Sequence, residues 1–223
     1  MGRGLFFIGA ALLAISFGVY LEAHHIQDRL SRRLEALHAP GRAPAHLHRA
    51  EATRREARLS GLIGRLEIQR LGLSVMVVEG TSFHTLQRGV GHVTGTAYPG
   101  ERGNVGLAGH RDTYFRSLAK IRPGDRIFLR TPDGRFTYEV EKALIVSPER
   151  GDLMRSVQRS RLTLVTCYPF YFIGPAPRRF VVLAHPVDSA GRLVDASSAR
   201  ARAARKSAKR ERRGSIAVAT TFP

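Results

Sequence analysis

Residues 126–146 read RIFLRTPDGRFTYEVEKALIV, and this stretch decides the fold class. Residues 126–131 and 136–146 are rich in β-branched and aromatic side chains, and both runs have the pattern of a β-strand. Between them, Pro132-Asp133-Gly134 supplies the residue types that a tight turn requires. The stretch therefore predicts an antiparallel hairpin of two strands.

Further strand candidates occur on both sides of this hairpin, separated by turn residues. They cover residues 64–68, 73–78, 104–108, 162–166 and 179–184. Residues 83–87 and 114–118 suit short helices, and the Gly- and Thr-rich residues 90–99 are predicted as a loop. Seven or eight short strands of this kind predict an all-β domain, either a barrel or a sandwich.

The chain divides into four parts by composition. Residues 5–21 are uncharged and apolar, and they predict a transmembrane helix, an interpretation we favour over a cleaved signal peptide. Residues 22–60 predict a charged, partly helical spacer. It begins with an apolar stripe that suits packing against the domain better than self-association, formed by Ile26, Leu30, Leu34 and Leu37. Residues 61–187 form the predicted β-domain, and 188–223 a basic, disordered tail.

The positive charge is concentrated outside the predicted domain core. The net charge is +18, and residues 189–223 hold nine of the 36 Lys and Arg residues against two acidic ones. Such a tail is compatible with nucleic-acid binding. It has few aromatic side chains for base stacking, so we expect a solvated tail near an anionic surface and no nucleic-acid partner.

Three side chains at predicted strand ends could form a nucleophilic site. Cys167 is the only cysteine, and it directly follows the apolar run 162–166. A cysteine in such a run is more often a small core residue than a nucleophile. His110 ends a second apolar run and Arg179 begins the last strand, so two adjacent strands could bring an imidazole and a guanidinium to the thiol.

Three motifs carry a resemblance to a known family. Residues 163–169 read TLVTCYP, residues 106–111 read GLAGHR and residues 177–182 read PRRFVV. In this order and spacing they resemble the sortase family of cysteine transpeptidases, and most closely the class D sortases or the related sortases of Gram-negative bacteria. The resemblance extends over residues 61–187.

The resemblance implies a single eight-stranded β-barrel with short helices. It also implies that Cys167 attacks a sorting signal of the LPxTG or LPxTA type, that Arg179 holds the oxyanion and that His110 protonates the leaving amine. No cofactor and no metal is expected. For binding of the signal peptide, the resemblance and the surrounding loops indicate Ala108, Thr166, Tyr168 and Phe170.

The family also implies partners and a location. The expected partners are the sorting-signal peptide of an exported protein and an amine acceptor, either a peptidoglycan precursor or a pilin lysine. The expected location is the cell membrane, with one membrane span and the catalytic domain outside the cytoplasm. The charges flanking the span, Arg3 before it and Arg29, Arg32 and Arg33 after it, do not favour this orientation.

Other functions remain open from the sequence. A cysteine hydrolase would use the same residues with water as acceptor, and a membrane-tethered module could bind polyanions through the basic tail. Asp112, two residues beyond His110, could orient the imidazole or cap the following helix, and we expect the cap. A metal site made of His84, His92, His110 and Cys167 fits no compact zinc spacing.

Overall fold

A computed structural model describes residues 2–38 and 50–193, except 156, 158, 173 and 189. Eight strands form a closed barrel in the order β1-β2-β3-β4-β7-β8-β6-β5. Their bounds are β1 Leu62–Ile68, β2 Leu73–Glu79, β3 Val90–His92, β4 Asn104–Ala108, β5 Arg126–Thr131, β6 Gly134–Val146, β7 Arg161–Tyr168 and β8 Arg178–Val187. The all-β prediction is confirmed, and so is the eight-stranded barrel that the resemblance implies, which decides between a barrel and a sandwich.

The predicted loop over residues 90–99 is wrong in its first part. Val90–His92 forms strand β3, which pairs in parallel with β2 and antiparallel with β4. The strand has only three residues and a central glycine, so neither alternation nor β-propensity marks it in the sequence. Its two neighbours satisfy its backbone, and it joins the two halves of the barrel.

Three α-helices and three short 3₁₀ helices accompany the barrel in the described residues. The α-helices are α1 Gly2–Leu37, α2 Glu51–Ser60 and α3 Phe83–Arg88, and the 3₁₀ helices are Gln69–Leu71, Arg116–Lys120 and Gly151–Met154. The prediction of helix over residues 83–87 is confirmed. The helix expected at residues 114–118 starts two residues later, at Arg116.

The core fills the barrel, and its side chains fix which residues face outward. On β7, Leu162 and Leu164 lie fully buried in the core, and on β8 Val182 and Ala184 do the same. Successive side chains of a strand alternate between the two faces. The side chains between these core positions therefore point to the outside of the barrel. The same alternation continues to the ends of both strands.

Helix α1 continues beyond the apolar segment and packs against the barrel. Leu34 is buried against Leu62 and Met76, with Leu30 and Leu37 beside it. The apolar stripe therefore packs on the domain, which is the interpretation favoured from the sequence. Of the helices in the described chain, the segment Phe6–Leu37 alone is long and apolar enough to cross a membrane, and a signal sequence would meet the same criterion.

Helix α2 is also attached to the barrel. Its first turn is capped by Asp133 from the hairpin turn, which accepts hydrogen bonds from the backbone N–H and the hydroxyl of Thr53 at 2.7 and 2.5 Å. On the other side, Arg33 of α1 forms an ion pair with Glu56. The second half of the predicted spacer is thus a packed helix, whereas residues 39–49 and the predicted tail from residue 194 lie outside the described residues.

A polar cluster is buried where β2, β3 and the β3–β4 loop meet. His92 is fully buried, with Nδ1 2.8 Å from Glu79 Oε2. Its Nε2 lies 3.0 Å from Ala97 O and 3.1 Å from Thr96 Oγ1, and Tyr98 stacks on the imidazole at 4.7 Å between centroids. Burial of a polar ring is tolerated here because both of its nitrogens have partners.

Candidate active site

Strands β7 and β8 place Cys167 and Arg179 directly opposite each other. The antiparallel ladder pairs Cys167 with Arg179 and the next residue, Tyr168, with Arg178. Directly opposed residues share a face and have Cβ atoms about 4.5–5.5 Å apart. Arg179 is half-buried on the outward face with the thiol, whereas Arg178 is exposed. Of the two neighbouring arginines, the register therefore puts Arg179 beside the cysteine.

The Arg179 guanidinium keeps donors free on this face. Its Nη1 donates to Ala176 O at 3.2 Å and to Arg178 O at 3.1 Å. A guanidinium has five N–H donors, and within the described chain no carboxylate is paired with this one. The backbone carbonyls hold the side chain in place, and its remaining donors are available to a developing oxyanion.

His110 follows the end of β4, which runs parallel to β7. The ladder pairs Ala108 with Val165, and the Gly109 N–H donates to Val165 O at 3.1 Å. The buried hydroxyl of Thr166 donates to Gly109 O at 2.7 Å. Continuing this register by two residues places His110 alongside Cys167. His110 and Arg179 therefore lie on the two strands that flank the cysteine strand. The fold thus gathers the three predicted side chains at one end of the barrel.

The glycine before His110 is required by the packing beneath it. A Cβ on Gly109 would lie 2.8 Å from the ring of Phe115, closer than carbon atoms approach. Phe115 is itself fully buried, so it has no room to move away. Because Gly109 has no side chain, its backbone can pack directly against the Phe115 ring. The chain then leaves the sheet at His110.

The His110 ring is half-exposed and has an aromatic neighbour that the sequence did not indicate. Phe83, at the start of α3, meets it edge-on at 6.2 Å between centroids. Within the described residues the ring accepts and donates no hydrogen bond. Asp112 is exposed and neither bonds to the imidazole nor caps a helix, because the 3₁₀ helix follows Phe115. The expected cap is therefore absent.

Helix α3 is fixed next to His110 by polar contacts at both ends. The Ser82 hydroxyl accepts a hydrogen bond from Thr85 N at 3.2 Å and caps the helix. At its other end, the Tyr114 hydroxyl donates to Gln87 O at 3.1 Å. Burial raises the pKa of Tyr114, so this phenol stays protonated as a donor. The Phe83 side chain is exposed, but it contacts the imidazole from a helix that these hydrogen bonds hold in place.

The four predicted substrate contacts fall into two groups. Ala108 is half-buried at the end of β4 and faces outward, like the thiol. Tyr168 is half-buried on the opposite face of β7 and packs against the core beside Phe170 and Phe180. Thr166 is buried under the site, and Phe170 is buried in the barrel core, where it meets Phe180 at 5.1 Å between centroids. Ala108 lies where a peptide could touch it, whereas Thr166, Tyr168 and Phe170 support the rim from the core side.

The four residues considered for a metal site do not come together as ligands. His92 is engaged with Glu79 inside the barrel wall, while Cys167 and His110 lie at the outward rim. In residues 2–38 and 50–193, apart from the four undescribed positions, no group of three or more His, Cys, Asp or Glu side chains could hold a metal ion.

Comparison with known proteins places this arrangement in a family. Residues 66–187, more than half of the chain, match the family model described as a sortase domain. The chain belongs to the sortase family. Sortase D of Bacillus subtilis (strain 168) is 39% identical over 120 residues, and the match covers 53% of this chain and 61% of that relative. The chain thus spans less than two thirds of the relative's length.

Solved sortase structures share the fold. Sortase C-1 from Actinomyces oris superposes with a TM-score of 0.55 and 29% identity, covering 67% of this chain and 86% of its own. A Clostridium perfringens sortase D5 transpeptidase gives a TM-score of 0.57, covering 74% of this chain and 98% of its own, and at 23% identity shows the fold alone. The match to sortase D agrees with the class D resemblance of the motifs.

Proposed function

We propose that this sortase-family chain is a membrane-anchored cysteine transpeptidase. It would cut a sorting signal of the LPxTG or LPxTA type and transfer the new acyl group to an amine. The observation that supports this most strongly is the pairing of Cys167 with Arg179, with His110 at the end of the adjacent parallel strand. The half-buried thiol is free of any disulfide.

In the first half-reaction, the Cys167 thiolate attacks the carbonyl carbon of the signal threonine. The carbonyl electrons move to oxygen, and the free N–H groups of Arg179 stabilise this oxyanion. When the tetrahedral intermediate collapses, the C–N bond breaks and the His110 imidazolium gives its proton to the leaving amine. The products are a thioester on Cys167 and a released C-terminal fragment.

The second half-reaction reverses these roles. An acceptor amine attacks the thioester carbonyl, neutral His110 takes the amine proton and Arg179 again holds the oxyanion. The C–S bond then breaks and the thiolate is regenerated. A peptidoglycan precursor or a pilin lysine would supply the amine. Ala108, on the strand beside the cysteine strand, is the contact that we propose for the signal peptide.

A peptide assay separates transfer from hydrolysis. The full chain is incubated with an LPxTG-type peptide and increasing concentrations of a primary amine, and the products are identified by mass spectrometry. We expect an amide product that grows with amine concentration, and a thioester adduct on Cys167. Cys167→Ala is the control without a nucleophile. Acid product alone at every amine concentration would instead identify a hydrolase.

The anchor and its orientation form a separate proposal. A 17-residue apolar stretch, residues 5–21, lies within one continuous helix that reaches the barrel. A helix of that length covers about 25 Å, at the short end of what spans a bilayer. Cys167 is the only thiol, so a membrane-impermeant maleimide reports its side of the membrane in intact cells. We propose labelling from outside, and labelling only after lysis would contradict this orientation.

A further inference from the structure

The loop joining the cysteine strand to the arginine strand is fastened by the residue next to His110. Arg111 Nη1 donates to Pro169 O at 3.1 Å. Its Nη2 donates to Phe172 O and to Gly174 O, each at 2.8 Å. Three carbonyls of one loop thus converge on a single half-buried guanidinium, whose Cζ atom also lies 5.7 Å from the centroid of the Phe172 ring.

These three hydrogen bonds from Arg111, which we call the clamp, are the main polar attachment of an otherwise open loop. Tyr171 and Phe172 are large aromatic residues exposed at the loop tip. Of the described residues, Arg111 and Arg179 are the side chains that donate to carbonyls of residues 169–177. Arg111 is not paired with a carboxylate in the described chain, so its charge and its fork of donors serve this loop.

The geometry points to Arg111 as a positioning residue that holds the loop of residues 169–177 as a wall of the signal-peptide groove. This inference rests on the proposed function and deepens it. The loop begins two residues after Cys167 and ends two residues before Arg179, so its shape defines the space beside both. Arg111 touches neither reacting atom, and its action is on the binding of the peptide.

A matched pair of arginine substitutions tests the clamp in the full chain. Arg111→Gln removes the charged fork. Arg116→Gln is the control, because Arg116 is an exposed arginine whose guanidinium lies 5.3 Å from the Tyr171 ring of the same loop. For Arg111→Gln we expect KM for an LPxTG-type peptide to rise about tenfold with kcat within about twofold. Arg116→Gln should change neither by more than about twofold.

Two readouts separate positioning from catalysis and from general stability. The rate of Cys167 alkylation by iodoacetamide, and its dependence on pH, should be the same in Arg111→Gln and in the parent chain. Arg111→Lys keeps the charge but loses the planar fork, so its KM should lie between the two. A fall in kcat at constant KM, a shifted alkylation profile, or equal effects of the two glutamine variants would overturn the proposal.

Hydrogen–deuterium exchange tests the clamp without relying on catalytic turnover of the peptide. Arg111→Gln should speed amide exchange in residues 169–177 and leave the exchange of strands β4 and β7 unchanged. If the parent chain fails to process the peptide, the proposed function fails while exchange still decides whether the clamp exists. Unchanged exchange in this loop would rule out the clamp even in an active enzyme.

Discussion

Two histidines close together in the barrel have opposite surroundings. His92 ends β3 and pairs with Leu107 of β4, and His110 follows the end of β4. His92 is fully buried, and each of its ring nitrogens has a hydrogen-bond partner. The half-exposed His110 has an aromatic edge beside it and, in the described chain, no hydrogen bond. His92 is therefore held in the barrel wall, whereas His110 is partly open to solvent at the candidate site.

Hydrogen-bond directions around His92 reinforce this difference. The Thr96 hydroxyl donates to Val93 O at 2.6 Å, so its oxygen can only accept from His92 Nε2. The other nitrogen faces the carboxylate of Glu79. Both ring nitrogens therefore face oxygen atoms, and these contacts fix the ring inside the barrel wall. His110, the proposed proton carrier, has the opposite environment.

The largest expected effect is on catalysis, from His110→Ala. Loss of a positioned proton donor should lower kcat/KM by about a hundredfold to ten-thousandfold. Thermal stability should remain close to that of the parent chain, because the half-exposed ring makes no hydrogen bond to the described residues. The matched control is His84→Ala, an exposed histidine on α3. An active His110→Ala enzyme would remove the proposed distinction between the two rings.

His92→Ala should show the reverse pattern. It removes a fully buried ring and deprives Glu79 of its buried histidine partner, which should cost about 3–5 kcal/mol of unfolding free energy. At temperatures where the variant is folded, kcat should stay within about threefold of the parent value. Urea unfolding and peptide kinetics measure both quantities. Lost catalysis with unchanged stability would assign His92 to the active site.

The two neighbouring arginines extend the comparison to the oxyanion. Arg179→Gln should lower kcat by about a hundredfold to a thousandfold, the usual cost of one oxyanion donor. Arg178→Gln should change kcat by less than about twofold, because this exposed residue is paired with Tyr168 and not with the thiol. Equal losses in the two variants would mean that the strand register does not select between them.

The sequence indicates the positions of the three candidate side chains better than it indicates the contacts that surround them. Cys167, His110 and Arg179 stand in recognisable local motifs at strand ends, so strand pairing was enough to bring them together. Ladder register and barrel closure depend on contacts between distant segments, and a local pattern carries little of that information. For the same reason the sequence predicts a loop where the three-residue strand β3 lies.

Polar partners from separate segments were equally hidden. Glu79 and His92 are 13 positions apart, and Arg111 reaches carbonyls 58 to 63 positions away. Carbonyl acceptors belong to every residue, so no residue type in the sequence marks where such a clamp will attach. In the sequence, Arg111 appears only as the last residue of the GLAGHR motif. His92 appears only as a candidate metal ligand.

The smallest expected effect concerns the partner of His92. Burial alone would raise the pKa of Glu79, but hydrogen bonds from His92, Thr94 and Tyr98 and the charge of His92 together lower it. A lowered folded-state pKa means that ionised Glu79 stabilises the fold above its unfolded-state pKa of about 4.3. This stabilisation is lost as the pH falls through the lower, folded-state value.

Glu79→Gln should therefore destabilise the barrel by about 1–3 kcal/mol at neutral pH, the cost of a lost charged hydrogen bond. The difference from the parent chain should shrink in acid, because the parent chain then loses the same carboxylate charge. The control is Glu141→Gln, whose exposed carboxylate pairs with Lys142 at the surface and should matter by less than about 0.5 kcal/mol. Urea unfolding between about pH 3 and 7 measures the trend. A difference that stays constant over this range would show that Glu79 holds His92 through its shape and not through its charge.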